Sequence, residues 1–336
     1  MSANFRSIPG VPLIRFSHSL AFIGYLRKFG APAEKYLGMS RLPTLCQESD
    51  YLVTIPRFYA FLEAATHGED PLLGWMVGDH VGGLQFSSPM QRRLESAPSL
   101  LAALQSLVQL INSESSDIDV GIIQRRDDIV LYTHYLDVGA RELPGYRVAQ
   151  AYQISVFMGI VRMFLGEEWR PVELGLESQC TLKDLPEWSQ GARFTPGSRF
   201  GYFTVPKSCL HHALNRGSAV SASRSLVLRI DELDDLELVR DLIKPYLPEG
   251  YITQEFAAQL MDISVRSLTR RLAEYGTTYR QLVDSLRFQV AKDHLGNPDM
   301  RLLEVANAVG FSDQGDFTRM FRRISGVTPG EFRRTL

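Results

Sequence analysis

The sequence predicts two domains of different class. The first is an α+β domain with a small antiparallel sheet, and the second is an all-α domain in which two helix-turn-helix units are joined by a long helix. Three observations carry this. At 336 residues the chain is long for a single core. Its apolar residues recur at helical spacing up to about residue 111, switch to β-rich runs, and return to helical spacing from Leu233. Between Thr253 and Leu336 one plan occurs twice: a short helix, a tight turn, and a second helix carrying Arg beside apolar residues. The expected division is residues 1–214, a linker over 215–232, and residues 233–336.

Composition sets the broad class. A chain that is 45% hydrophobic and 22% charged is ordinary globular protein, neither disordered nor fibrous. The net charge of −2 is unevenly spread: residues 251–336 hold 12 Lys+Arg, 11 of them Arg, against 10 Asp+Glu, which leaves 24 against 28 for the rest. Arginine is the side chain suited to bidentate base and phosphate contacts. Cys46, Cys180 and Cys209 are far apart and form no Cys-x-x-Cys pair, so reduced, buried thiols are expected. Arg6, Arg15 and His18 interrupt the N-terminus before any signal-peptide run develops. The run Ile154 to Leu165 is too short to span a bilayer and contains Arg162. A cytoplasmic protein with no membrane partner is expected.

Taken in order, Pro9, Pro12 and Pro32 mark breaks around a helix from Ser17 to Phe29. A second helix is expected over Ile55 to Thr66, where Phe58, Phe61, Leu62 and Ala65 share a face. Another begins at Leu72, and Leu100, Leu101, Leu104, Leu107, Val108 and Ile111 define an amphipathic helix from Ser99. Ile118 to Gln124 and Ile129 to Leu136, separated by Arg125-Arg-Asp-Asp, read as a hairpin. A long helix follows from Pro144 to Leu165, then strands at Val172 to Leu176 and Phe200 to Val205, with Pro206 opening a short helix. Such an order suggests an antiparallel sheet and a core large enough to enclose a ligand. Asn215 to Ser225 is small, polar and aperiodic, as a linker is. Leu233 to Leu247 is a helix with Leu236, Val239, Leu242 and Ile243 inward and an acidic face made by Asp234, Asp235, Glu237 and Asp241.

In the first repeat Phe256, Ala257 and Leu260 pack inward, and Leu268 and Leu272 are the matching pair on the second helix. Ser264 stands at its N-cap. Arg266, Thr269 and Arg270 then face outward, offering bidentate donors to guanine and a methyl to thymine in a major groove. A spacer helix from Thr278 to Leu295 turns Leu282, Leu286 and Val290 inward and ends at Asn297-Pro298. It can hold two reading heads in successive major grooves about 34 Å apart. In the second repeat Leu303, Ala306 and Val309 form the inner face, Gly310 permits the turn, and Phe311, Phe317 and Phe321 plug the core. Gln314 and Arg319 are the base-contacting candidates there. Ser264, Arg271, Thr318, Arg322 and Arg323 are candidates for phosphates, as are Arg333 and Arg334.

The simpler readings of other features are structural. His211-His212 points in two directions with no third ligand at metal spacing, Asp127-Asp128 is a turn, and Phe58, Tyr59, Phe61 and Trp75 are core. No phosphate-binding glycine loop or nucleophile elbow occurs, so no catalytic residue, metal or cofactor is expected. Two alternatives to a DNA-binding regulator stay open: an N-terminal enzyme tethered to DNA, and a ligand-free protein-interaction domain.

The motif set resembles a known family. Ala257-x-x-Leu260, Ser264-x-Arg266-x-Leu268-x-Arg270-Arg-Leu272, Ala306-x-x-x-Gly-Phe-Ser-Asp313, Phe317-x-Arg-x-Phe-Arg-Arg323 and Gly326-x-Thr-Pro-x-x-Phe-Arg333 are similar, in order, to the DNA-binding domain of AraC/XylS-type transcription regulators. The resemblance implies seven helices, recognition helices at Val265 to Glu274 and Asp313 to Arg323, and promoter DNA as partner. Gly315 and Asp316 stand where that family often carries bulkier or neutral residues, which makes the second unit the weaker reader. The N-terminal part, through Gly68-x-Asp-Pro-x-Leu-Gly74, Trp169-x-Pro171 and Phe203-x-Val-Pro206, resembles the larger effector-binding and dimerisation domain of one AraC subgroup. That implies a small-molecule effector, a homodimer, and, for an activator, contact with RNA polymerase.

Overall fold

In a computed structural model the described residues are 12–44, 51–68, 72–82, 86, 88–136, 139–214, 235–250, 252–261 and 263–336. The expected linker, 215–232, lies outside them, as do Cys46 and Asp234. The chain divides into two units, one built from Pro12–Leu42 and Leu52–Glu232, the other from Leu233–Leu336 with Met1–Val11 and Pro43–Tyr51.

The α+β unit is organised by one helix. Helix α7 (Tyr146–Leu165) follows β1 (Leu13–Arg15), α1 (Phe16–Lys28), α2 (Ala33–Ser40), β2 (Leu52–Thr54), α3 (Ile55–Gly68), α4 (Leu73–Val81), α5 (Ser88–Glu95), α6 (Leu100–Leu110), β3 (Ile118–Gln124) and β4 (Asp128–Tyr135). It is apolar nearly all round, so only a fully covered position satisfies it. The run from Ile154 is the second half of this 20-residue helix, which is long and apolar enough to cross a membrane, with mean hydropathy 1.4. In the fold, 78% of that stretch is buried inside the unit. Gly74 and Gly78 let α4 approach closely: a Cβ at Gly74 would stand 2.3 Å from the Val148 carbonyl oxygen, and one at Gly78 2.6 Å from the Ser155 Cβ.

After α7 come β5 (Glu173–Gly175), β6 (Arg193–Thr195) and β7 (Gly201–Pro206), and the sheet runs β3-β4-β7-β5-β6. The β3–β4 hairpin pairs Ile118 with Tyr135 and Gln124 with Ile129. All neighbours are antiparallel except β5 and β6, whose pairing is parallel, so the sheet is mixed where an antiparallel one was expected. The three-residue strands β1 and β2 pair separately. Cys180 and Cys209 are half-buried rather than buried, and burial raises the Cys180 thiol above its ordinary pKa.

The expected ligand-sized core is not open. Phe58, Tyr59, Tyr152 and Phe157 close on a cavity of about 40 Å³ beside His18 and Glu114, far below the few hundred Å³ of an ordinary small-molecule site. A wider cleft of about 190 Å³ runs past Trp75, Arg147 and Cys180.

The helical unit comprises α8 (Asp235–Ile243), a 3₁₀ segment (Lys244–Glu249), α9 (Gln254–Leu260), α10 (Val265–Glu274), α11 (Tyr279–Leu295), α12 (Leu302–Ala308), α13 (Gln314–Ser325) and α14 (Pro329–Arg333). Short polar side chains start most of them. Thr253, Ser264, Thr278, Asp313 and Thr328 each accept an amide of the following turn, and such caps are worth about 1 kcal/mol apiece. One core joins α11 to α14 around Leu295, Val305, Ala306, Val309, Phe317 and Phe321. Leu303, expected inward, is 47% exposed. Leu302, Val305, Ala306 and Val309 fall at i, i+3, i+4 and i+7, so the buried stripe passes through Leu302 and leaves its neighbour outside.

Gly310 ties the turn after α12 to the 3₁₀ segment. Its φ is +83°, and a Cβ there would stand 2.2 Å from the Leu247 carbonyl oxygen. Gly276 has a similar φ of +67° but nothing within 4 Å. Left-handed backbone costs a non-glycine residue about 1–2 kcal/mol. Gly276→Ala should therefore lose about 1 kcal/mol of stability and Gly310→Ala clearly more, read as the shift of the helical unfolding transition in urea; equal losses would contradict the close approach.

Candidate nucleic-acid interface

Helices α9 and α10 form the first helix pair, with the turn between them closed by the Ile263 amide donating to the Ala258 carbonyl at 3.0 Å. Ala257 is fully buried, as are Leu268 and Leu272 on α10. Two leucines beneath the helix fix its rotation, so Arg266, Thr269 and Arg270 are all exposed on the far side. Arg271 is half-buried.

Not every outward group is equally available. The Thr269 hydroxyl donates to the Val265 carbonyl at 2.8 Å and accepts from Gln254 Nε2 at 2.8 Å. Its methyl is what remains for a base. Ser264 Oγ accepts the Ser267 amide at 3.1 Å and lies 3.0 Å from Ser267 Oγ, so it serves first as the N-cap.

Helices α12 and α13 form the second pair. Gln314 is exposed at the start of α13, and Arg322 is exposed farther along. Thr318 Oγ1 donates to the Gln314 carbonyl at 2.7 Å. Its one proton is thereby committed, and a phosphate oxygen, which only accepts, must compete for it. Arg319 pairs with Asp316 on the same helix. Arg323 pairs with Asp284 of α11. Arg333 is structural: its Nη2 donates to the Met300 carbonyl at 2.7 Å and holds α14 against the chain entering α12. Arg334 is exposed.

The spacer helix brings residues that the repeat pattern did not single out. Arg280, Asp284 and Arg287 fall at i, i+4 and i+7 on one face of α11, a spacing visible in the sequence. The Arg287 guanidinium lies over the Phe311 ring, 4.6 Å from its centroid. Burial lowers its pKa from the ordinary value, while Asp284 opposes that shift. Gln254 was also missed, because only the fold places its amide against Thr269.

Residues 257–335 match a family model described as a helix-turn-helix domain. Residues 257–335 form an AraC-type helix-turn-helix domain. Over 86 residues, covering 26% of this chain and 25% of the relative, the chain is 37% identical to the ornithine utilization regulator of Pseudomonas aeruginosa. Over 143 residues, 43% of this chain and 42% of the relative, the chain is 26% identical to the transcriptional activator NphR of a Rhodococcus species. The chain thus spans between about a quarter and two fifths of the length of these relatives. The crystal structure of the transcriptional regulator CdpR from Pseudomonas aeruginosa aligns over 90% of this chain and 96% of that one at 21% identity, with a TM-score of 0.35, too low to establish a common fold.

Within the AraC-type domain the cap of α10 should be measurable by itself. Ser264→Ala should cost about 1 kcal/mol of stability, within the usual range for cap removal, while Ser267→Ala, which leaves the Ser264 cap in place, should cost less in the same urea titration.

Proposed function

We propose that the protein is a sequence-specific, DNA-binding transcription regulator that acts as an activator. In this reading residues 233–336 bind promoter DNA through two helix-turn-helix units, α9–α10 and α12–α13, held apart by α11. Residues 1–214 bind a small-molecule effector and self-associate as a homodimer, residues 215–232 join the two, and RNA polymerase is the downstream partner in the cytoplasm. The observation that carries it is the exposed trio Arg266, Thr269 and Arg270 on a capped helix whose opposite face is locked down by Leu268 and Leu272.

Arg266 and Arg270 lie one helical turn apart and are the donors for guanine, with the Thr269 methyl between them for thymine. Gln314 is the adenine candidate of the second unit, and Arg319 reaches a base only by leaving Asp316. Ser264, Arg271, Thr318, Arg322 and Arg323 are assigned to phosphates. The similarity to NphR, a transcriptional activator of a Rhodococcus species, supports an activator role. The effector reading is supported by the cleft beside Trp75, Arg147 and Cys180, which combines an aromatic wall with charged groups.

Binding measured on a selected promoter duplex and on its scrambled counterpart tests the proposal. The intact protein should prefer the promoter, and Arg266→Ala or Arg270→Ala should each lose about 1–3 kcal/mol of discrimination at particular base pairs. Equal affinity for both duplexes would refute it. An effector should raise the melting temperature of the full chain by mass action and change promoter affinity in the same concentration range.

A further inference from the structure

The helical unit contains an open groove of about 650 Å³ that shares only Arg319 with the base-reading candidates. Its lining includes Gln254 of α9, Arg280, Asp284 and Arg287 of α11, and Arg319 and Arg323 of α13. Gln254 is the residue bonded to Thr269 on α10, and Arg319 belongs to α13. The groove therefore borders both outward faces, and a duplex lying across α10 and α13 passes over it. Its charges are notable in proportion: four arginines and two aspartates, an excess of two, which equals the whole excess of 12 cations over 10 anions in residues 251–336.

The aspartates are placed on the arginines. Asp316 pairs with Arg319 and Asp284 with Arg323, and Asp284 also acts on Arg287. Among the described residues, Arg280 has no acidic partner within salt-bridge distance. Resting on the DNA-binding reading above, we infer that this groove is the seat of a DNA backbone segment, and that Asp284 and Asp316 restrain its affinity. They hold Arg323 and Arg319 in internal ion pairs that phosphates must replace. A duplex without the correct bases gains too few contacts on α10 to offset that exchange, whereas the correct promoter does. Asp284 and Asp316 are then specificity-determining residues that never touch a base.

The physical requirement is simple. A carboxylate beside a phosphate seat repels the ligand, and a paired arginine releases fewer counterions from DNA than a free one. Neutralising the carboxylate frees the arginine, so the dependence of binding on salt should steepen by about 0.9 in the log–log slope for each phosphate newly contacted.

The experiment uses the full-length protein, fluorescence anisotropy, and promoter and scrambled duplexes of equal length over a salt series. Asp284→Asn and Asp316→Asn should each raise affinity for the scrambled duplex about threefold or more, raise promoter affinity less, and steepen the slope by about one contact. Arg280→Gln sets the scale, with a slope shallower by about one contact. Asp293→Asn, an exposed change of the same charge near the far end of α11, should alter neither affinity more than marginally. The inference is overturned if the two groove variants leave scrambled-duplex affinity and slope unchanged, or if Asp293→Asn has the same effect as Asp284→Asn. A wild-type chain that binds neither duplex overturns the DNA-binding reading and the inference together, whereas wild-type binding with unresponsive variants overturns the inference alone. Circular dichroism of each variant confirms that the fold is retained.

Discussion

The rotation of two helices about their own axes is the constraint on which the rest of the interface depends. Leu268 and Leu272 bury one stripe of α10, and Phe317, Met320 and Phe321 bury one stripe of α13. Fully burying a large apolar side chain is worth about 1.5–3 kcal/mol. Turning α10 by one residue would expose two leucines and bury arginine, a loss of several kcal/mol against the roughly 1 kcal/mol of a single cap. Burial therefore decides which side chains face outward, and the caps sharpen where each helix begins. The glycine at 310 completes the arrangement by allowing backbone to meet backbone where no side chain fits.

That rotation leaves a surface with little spare charge. Residues 251–336 exceed neutrality by only two, and several of their arginines are occupied. Arg333 holds α14, Arg287 lies on Phe311, and Arg319 and Arg323 carry acidic partners. Bulk attraction to a phosphate backbone is accordingly weak. The two helix pairs are also unequal for a reason other than the identity of residue 315. On α10 Arg266 and Arg270 stand without an ion pair among the described residues, while on α13 Arg319 is engaged by Asp316 one turn earlier.

The sequence was most informative where helical periodicity and capping residues agreed. The helices at 100–110, 265–274 and 279–295 follow from leucine spacing and from Ser99, Ser264 and Thr278. The β3–β4 hairpin was equally legible from its turn. Less legible were three-residue strands such as β1, β2 and β6, which are too short to show an alternating pattern and exist through their partners. The phase of α12 was misread at Leu303 because two adjacent leucines make either stripe plausible until Val305 and Val309 are placed. Of the site, the outward positions on α10 were readable, but not which were already bonded. Thr269 to Gln254 and Arg323 to Asp284 join residues 15 and 39 positions apart, and only the fold brings them together. The closed core around Phe58 and Phe157 was likewise invisible to composition, which records aromatic content and not how the rings fill space.

The central claim is that α10 is the principal base reader and α13 the weaker one, set in neighbouring turns of the duplex. Methylation interference on the promoter tests it most directly, because a methyl at guanine N7 blocks a bidentate arginine in the major groove. The account predicts interference in two major-groove segments about one helical turn apart, with the stronger segment disappearing in Arg266→Ala and Arg270→Ala proteins. Interference confined to a single segment, or a strong segment that survives both substitutions, would contradict it.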